Sequence, residues 1–179
     1  NEEKAEGLFE AALGLAAKDA MDQIGALAER VAGICSQKKP EMAERFLRKA
    51  LAVKQKQLGP ADIRIFNQLG ISLRQQGKWR EAVEEYKLAL NVVPDDAGLY
   101  YNLGMACTEG NLLHDARKHM EKALDLNPDL PRASATVAYN MGIVFIKSAA
   151  KQKAKLCLEI ALGLNPNLKQ AKAALAKLQ

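Results

Sequence analysis

The sequence predicts an all-α fold, a solenoid of antiparallel helix pairs with about ten helices in all. Three observations lead there. Pro94 and Pro128 stand 34 residues apart, and aligning on them superimposes Phe66, Leu69, Gly70, Leu73, Ala82, Tyr86 and Ala89 on Tyr100, Leu103, Gly104, Cys107, Ala116, Met120 and Ala123. A third copy sets Ala138, Met141, Gly142, Phe145, Ala154, Leu158, Ala161 and Pro166 in the same places. Within each copy the apolar residues recur at intervals of three and four, and a break such as Gly77-Lys78-Trp79 or Gly110-Asn111-Leu112 falls midway, so each copy reads as two amphipathic helices. Finally, Gly and Ala at the eighth, twentieth and twenty-seventh places remove bulk where two helix axes approach, while large residues at the fourth, seventh, eleventh and twenty-fourth fill the gaps. The proline lacks an N–H and restricts the residue before it, which stops the second helix and turns the chain.

Composition is consistent with such a packed fold and excludes several others. Of 179 residues, 49% are hydrophobic and 26% charged, far from the composition of disordered or collagen-like chains. The longest stretch without a charge, 133–146, has 14 residues, short of the roughly 18 to 20 needed to cross a bilayer. The opening Asn-Glu-Glu-Lys is acidic, lacks Met and resembles no signal peptide, so the sequence is expected to be cut from something longer. Cys35, Cys107 and Cys157 are odd in number and far apart, which suggests neither a disulfide framework nor zinc, and points to reduced thiols in a cytoplasm.

Charge is distributed unevenly along the chain. Residues 1–29 carry seven acidic and two basic side chains, whereas 147–179 carry seven Lys and only Glu159, within a net charge of +5. Solvated outer helix faces explain this most simply. Unlike ends would also favour head-to-tail contact between copies, or an acidic partner at the C-terminal end.

The signature residues resemble the tetratricopeptide repeat, a helix-turn-helix unit of 34 residues, with 63–96 and 97–130 matching at nearly every signature position. The third copy, 135–168, departs with Ala138 where the family prefers a large aromatic and Ala149 where it prefers Gly at the turn. Four extra residues, 131–134, precede it, enough either to lengthen the first helix or to insert a loop. Upstream, Ala43, Phe46, Leu47, Ala50 and Leu51 fit a second helix continued through Val53 and Leu58, of the longer kinesin-light-chain type, within a degenerate repeat at 19–62 whose first helix is expected within 19–36. Residues 4–15 resemble another second helix, so 1–18 reads as a half-repeat; 169–179 reads as a Lys- and Ala-rich capping helix. The resemblance implies one array over 1–179 in the form of a right-handed superhelix.

Catalytic constellations are not apparent. His114 and His119 lie five residues apart on a predicted helix and therefore on different faces. Cys107 holds a signature core place and Cys157 adjoins one, so both read as small hydrophobes. No Gly-rich phosphate loop is present. The expectation is a non-enzyme without cofactor or metal. Nucleic-acid binding is disfavoured, because the C-terminal lysines come without an aromatic platform.

In the family that the sequence resembles, first helices line the concave face, so places 2, 5, 6, 9, 12 and 13 of each would form a groove. The first copy gives Arg64, Asn67, Gln68, Ile71, Arg74 and Gln75; the second Gly98, Tyr101, Asn102, Met105, Thr108 and Glu109; the third Thr136, Tyr139, Asn140, Ile143, Ile146 and Lys147. The chief candidates for partner binding are Arg64, Asn67, Ile71, Arg74, Tyr101, Asn102, Met105, Tyr139, Asn140 and Ile143. Tyr101 and Tyr139, with Ile71, Met105 and Ile143, make an apolar and aromatic stripe suited to an amphipathic or extended peptide, with Arg64 and Arg74 for acidic groups. The family's receptors for chaperone tails place Lys at places 2 and 5 and Asn at place 9, a clamp this sequence lacks. An opposing reading is that Asn102 and Asn140 stabilise the repeat and that the apolar residues of place 9 pack between first helices.

The run from Arg64 to Ala82, followed by Leu99-Tyr-Tyr-Asn-Leu-Gly, is also similar to repeats attached to receiver domains in bacterial response regulators, which would make the array a signalling output module. The expected function is a scaffold that binds a protein or peptide segment. Its alternative is a self-assembly module forming head-to-tail or dimeric homo-oligomers.

Overall fold

A computed structural model describes Gly7, Ala11, Leu27, Arg30, Gly33, 39–54 and 59–178. Among the described residues there are eight α-helices, two short 3-10 turns and no strand. The helices are α1 (Pro40–Lys54), α2 (Ile63–Gln75), α3 (Trp79–Val92), α4 (Ala97–Glu109), α5 (Leu113–Leu126), α6 (Ala135–Lys147), α7 (Lys151–Leu164) and α8 (Lys169–Ala176). Of the helices expected at 4–15 and within 19–36 only Gly7, Ala11, Leu27, Arg30 and Gly33 are described, each of them helical, and the helices bounded among the described residues number eight rather than about ten. The chain forms two compact units, Asn1–Lys78 and Trp79–Gln179.

In the first unit, α1 packs on α2. The expected apolar stripe of α1 is buried at Ala43, Phe46, Leu47 and Ala50, and α2 buries Phe66, Leu69, Gly70 and Leu73. Glu44, in the first half of α1, accepts hydrogen bonds from Gln76 Nε2 and Lys78 Nζ just beyond the end of α2, both at 2.8 Å. The two helices therefore run antiparallel. Arg48 Nε adds a third bond at 2.9 Å. Burial pushes the Glu44 carboxyl up, but these bonds from Lys78, Arg48 and Gln76 outweigh it and hold the group below the ordinary carboxylate value.

The second unit contains two helix hairpins, α4 with α5 and α6 with α7, flanked by α3 and by α8. Its seam is the one expected from small residues. A Cβ placed on Gly104 would lie 3.1 Å from the Met120 methyl and 3.2 Å from the Ala116 carbonyl oxygen. On Gly142 it would lie 2.9 Å from Leu158 and 3.5 Å from the Ala154 oxygen. The eighth place of each copy is thus pressed against the twentieth and twenty-fourth of the same copy. Of the signature places before the proline in these two copies, all are buried except Tyr100, which is half-buried.

The turns that follow α2, α4 and α6 use the same device. The residue at the fifteenth place takes a left-handed conformation, Gly77 at φ 74°, Asn111 at φ 58° and Ala149 at φ 60°. Its own N–H and that of the next residue fold back onto the last turn of the helix, as in Asn111 to Thr108 (3.2 Å) and Leu112 to Cys107 (2.8 Å). Only Ala149 does this with a Cβ and without a polar side chain to help. The first helices α4 and α6 begin on side-chain caps, whereas α2 has none at Asp62: Asp96 Oδ1 accepts the Leu99 N–H at 2.7 Å and Ser134 Oγ accepts that of Val137 at 3.1 Å. At the proline turns, Asn127 and Asn165 each accept a backbone N–H two residues on, at 3.1 Å.

The extra residues 131–134 do not lengthen the first helix of the third copy. They form a loop with a 3-10 turn over Leu130–Arg132 that packs on α6 and α7 and buries Pro131. At the C-terminal end, Ala171 of α8 joins Ala138, Leu158 and Ala161 in one apolar cluster, with Leu168, Leu175 and Leu178 half-buried against it. The lysines of α8 stay outside, as expected of a helix that closes a core.

Candidate functional site

The first helices of the second unit, α4 and α6, lie against each other. This brings together the expected residues of the second and third copies. Asn140 Nδ2 donates to the Tyr101 hydroxyl at 2.9 Å, joining place 6 of one repeat to place 5 of the one before it. The bond fixes the register of α4 against α6 and uses part of the polar capacity of both residues. Tyr101, Asn102, Met105, Tyr139, Asn140 and Ile143 are all half-buried. Tyr139 and Ile146 also pack against the cluster that α8 closes, so Tyr139 serves the core as well as the face.

One expected lining residue does not belong to the face. Thr108 is buried, 7% exposed, and its Oγ1 donates to the Gly104 carbonyl one turn back at 2.8 Å. A hydroxyl satisfied on its own helix needs no outside partner and tolerates burial, which periodicity alone could not reveal. Glu109, Thr136 and Lys147 are exposed. In the first unit, Arg64, Ile71 and Gln75 are exposed on α2, while Asn67, Gln68 and Arg74 are half-buried. The sequence reading missed the bond between Tyr101 and Asn140, which lie 39 residues apart. The spacing of the second and third copies, 38 residues, was the available signal.

Of the three cysteines, Cys35 lies outside the described residues and the other two are held in inert surroundings. Cys107 and Cys157 are both 2% exposed. Burial, aided by Asp115, pushes the Cys107 thiol up to about 11, and burial alone does the same for Cys157. Both stay protonated near neutral pH, the opposite of what a nucleophilic thiolate requires. His114 is exposed, while His119 is half-buried with its ring stacked on Tyr100 at 6.0 Å between centroids. Burial lowers its pKa, with Lys118 and Lys87 acting in the same direction against Asp115. No group of three or more potential metal ligands occurs among the described residues, and no helix there is long and apolar enough to cross a membrane.

A unit of two helices, closed by a left-handed turn and seamed by small residues, defines a class of repeat. Residues 70–109 match the family model for the TPR repeat and 97–130 that for the tetratricopeptide repeat. The chain carries tetratricopeptide repeats over that span. It is 33% identical over 72 residues to the photosystem I assembly protein Ycf3 of Synechococcus elongatus, which covers 38% of this chain and 42% of that protein. A 55-residue match, 34% identical, to protein O-mannosyl-transferase F38B6.6 of Caenorhabditis elegans covers 31% of this chain and 8% of that protein. The chain therefore spans less than half the length of either curated relative. Among solved structures, BtubC from P. vanneervenii is similar with a TM-score of 0.74 at 23% identity, covering 99% of this chain and 81% of the other. YrrB, described as a TPR protein with an unusual peptide-binding site, gives 0.67 at 20% identity over 97% and 82%. At these identities the two structures establish the fold.

Proposed function

We propose that the chain is a non-catalytic protein-interaction scaffold that takes up a peptide segment on the face made by the first helices α4 and α6. The observation that supports this most is the paired row on α4 and α6, where Tyr101 and Asn140 are tied together and Met105 and Ile143 remain half-open beside them. Such a row offers partly covered apolar anchors on a rigid support, which is the arrangement by which preformed surfaces hold extended or helical peptides. The same fold in YrrB is associated with a peptide-binding site, which is in keeping with the reading. On the first unit, Arg64, Asn67, Ile71 and Arg74 are the residues we assign to partner contact. The protonated, buried thiols suit a reducing compartment such as the cytoplasm. The comparisons lend no support to the response-regulator resemblance, and an output role is not part of the proposal.

The test uses peptides selected on the wild-type chain from a random phage library and measured by fluorescence anisotropy. Met105→Glu with Ile143→Glu is expected to weaken them at least about tenfold while the helical circular dichroism is retained. Peptides that bind this variant as well as the wild type would remove the reading. Light scattering provides a control for the self-assembly alternative, since association through unlike charged ends would fade as ionic strength rises from about 0.05 M to about 0.5 M.

A further inference from the structure

The face just described is not electrically neutral at both ends. On α6, Tyr139, Ile143 and Lys147 follow one another at four-residue spacing and so share one side of the helix, which makes the row end on an exposed lysine. On α4 the corresponding row is Tyr101, Met105 and Glu109, so the lysine is not a property of the repeat as such. Among the described residues no acid pairs with Lys147, Lys151, Lys169 or Lys172. Only one acid, Glu159, stands among seven lysines between 147 and 179, and it lies 3.9 Å from Lys155. Just past the Ala149 turn, beside the row and not on it, a cleft of about 380 Å³ between the second helices α5 and α7 is lined by Arg117, Lys151 and Lys153 and by no acidic side chain. Arg117 and Lys153 share Glu121, at 3.0 and 2.6 Å, which leaves Lys151 as the cation there without a counter-ion.

We infer that the segment taken up on this face is acidic next to its apolar anchors, with side chains seated at Tyr139 and Ile143 and Asp or Glu groups following over Lys147 and Lys151. This rests on the peptide-binding reading and names the chemistry of its partner. The surplus of cations without counter-ions provides the complementarity, and it favours carboxylates over nucleic acid. The one arginine at this cleft, Arg117, is engaged by Glu121, Arg132 is paired with Asp129, and no arginine follows, so the planar forks that grip phosphate are already occupied here. Its one Phe, Phe145, is buried, and Tyr139 is half-buried with one side against the C-terminal cluster, so no fully exposed ring is present there for base stacking.

The probes are two short peptide pools with the same randomised apolar core, one flanked by Glu and the other by Lys, together with a single-stranded oligouridylate. The Glu pool is expected to bind the full chain about tenfold more tightly than the Lys pool at low salt. Lys147→Glu with Lys151→Glu should abolish or reverse that preference, while Ile143→Glu should weaken both pools. Both lysines are exposed, so the variant keeps its fold, and circular dichroism verifies this. Equal binding of the two pools, or a preference that survives the double substitution, would overturn the inference and leave the peptide reading intact. Binding of both pools that ignores Ile143→Glu would bring down the peptide reading as well. Oligouridylate binding more tightly than the Glu pool would replace an acidic protein segment with nucleic acid.

Discussion

The repeats at 97–130 and 135–168 are built on the same backbone and differ in what they place at their turns and helix starts. In the earlier one, Asn111 adopts the left-handed turn, Gly110 precedes it, and Asp115 sits in the first turn of α5. In the later one, Ala149, Ser148 and a run of Lys151, Gln152 and Lys153 take those places. The seam of small residues is nonetheless the same in both, which teaches that the seam sets the fold while the turn is free to vary in strain and charge. Ala149 carries the strain. The lysines carry the charge that the inferred partner would need.

The seam should dominate any comparison of stability between these repeats. Leu158→Ala is expected to destabilise the chain by about 2–5 kcal/mol in chemical denaturation, because Leu158 is fully buried against Gly142. Leu156→Ala, on the exposed side of the same helix, should stay within about 0.5 kcal/mol. Equal losses would mean that α7 does not pack as described.

Gly110 gives a sharper contrast between the two turns. A Cβ there would lie 2.5 to 2.7 Å from the Trp79 ring, so the glycine exists for the indole and not for its own backbone, whose φ is −78°. In the later repeat the corresponding pair is Leu113 and Ser148, a smaller side chain opposite a residue with a Cβ. Gly110→Ala should cost about 1–3 kcal/mol, and combining it with Trp79→Leu in a double-mutant cycle should recover a measurable part of that. Strict additivity would refute the contact as the cause.

Ala149→Gly should raise stability by about 1 kcal/mol, visible as an increase in Tm, by relieving the left-handed turn. Asn111→Gly should gain less, since Asn tolerates that conformation. The smallest effect concerns acid. Glu121 is held below the ordinary carboxylate value, chiefly by the Lys153 hydrogen bond and further by Arg117, against a burial that raises it. A carboxyl depressed in the folded state stabilises above its unfolded pKa and loses that contribution as pH falls through the folded value. Glu121→Gln should therefore remove a few tenths of a kcal/mol of the stability lost between about pH 5 and pH 3. Glu159→Gln, at the same place in the later repeat with only a loose pair to Lys155, should remove none that melting curves detect.

Much of the fold was legible because it depends on short-range periodicity. Phe145, Leu158 and Ala161 could be assigned to the core from their places in a repeating pattern, and they are fully buried. Pro128 and Pro166 marked the ends of second helices, and α5 and α7 end at Leu126 and Leu164. The face was less legible. Thr108 sits at a place expected to line it and turned inward, while Tyr139 proved to be shared with the C-terminal core. Helical spacing locates a side chain around its own axis, but it does not say how closely the next helix approaches on that side.

The amino-acid sequence by itself determined the length of the unit, the two helices in it, and the contact of Gly104 and Gly142 with their partner helices, because these follow from side-chain size repeated at a fixed interval. The tertiary structure alone decided that Asn140 reaches Tyr101, that Trp79 lies on Gly110, and that the α6 row ends on a lysine without a counter-ion. Those facts join residues from different repeats or require knowing who is absent nearby. Only packed helices, whose neighbours are brought close by the whole fold, can settle such proximity.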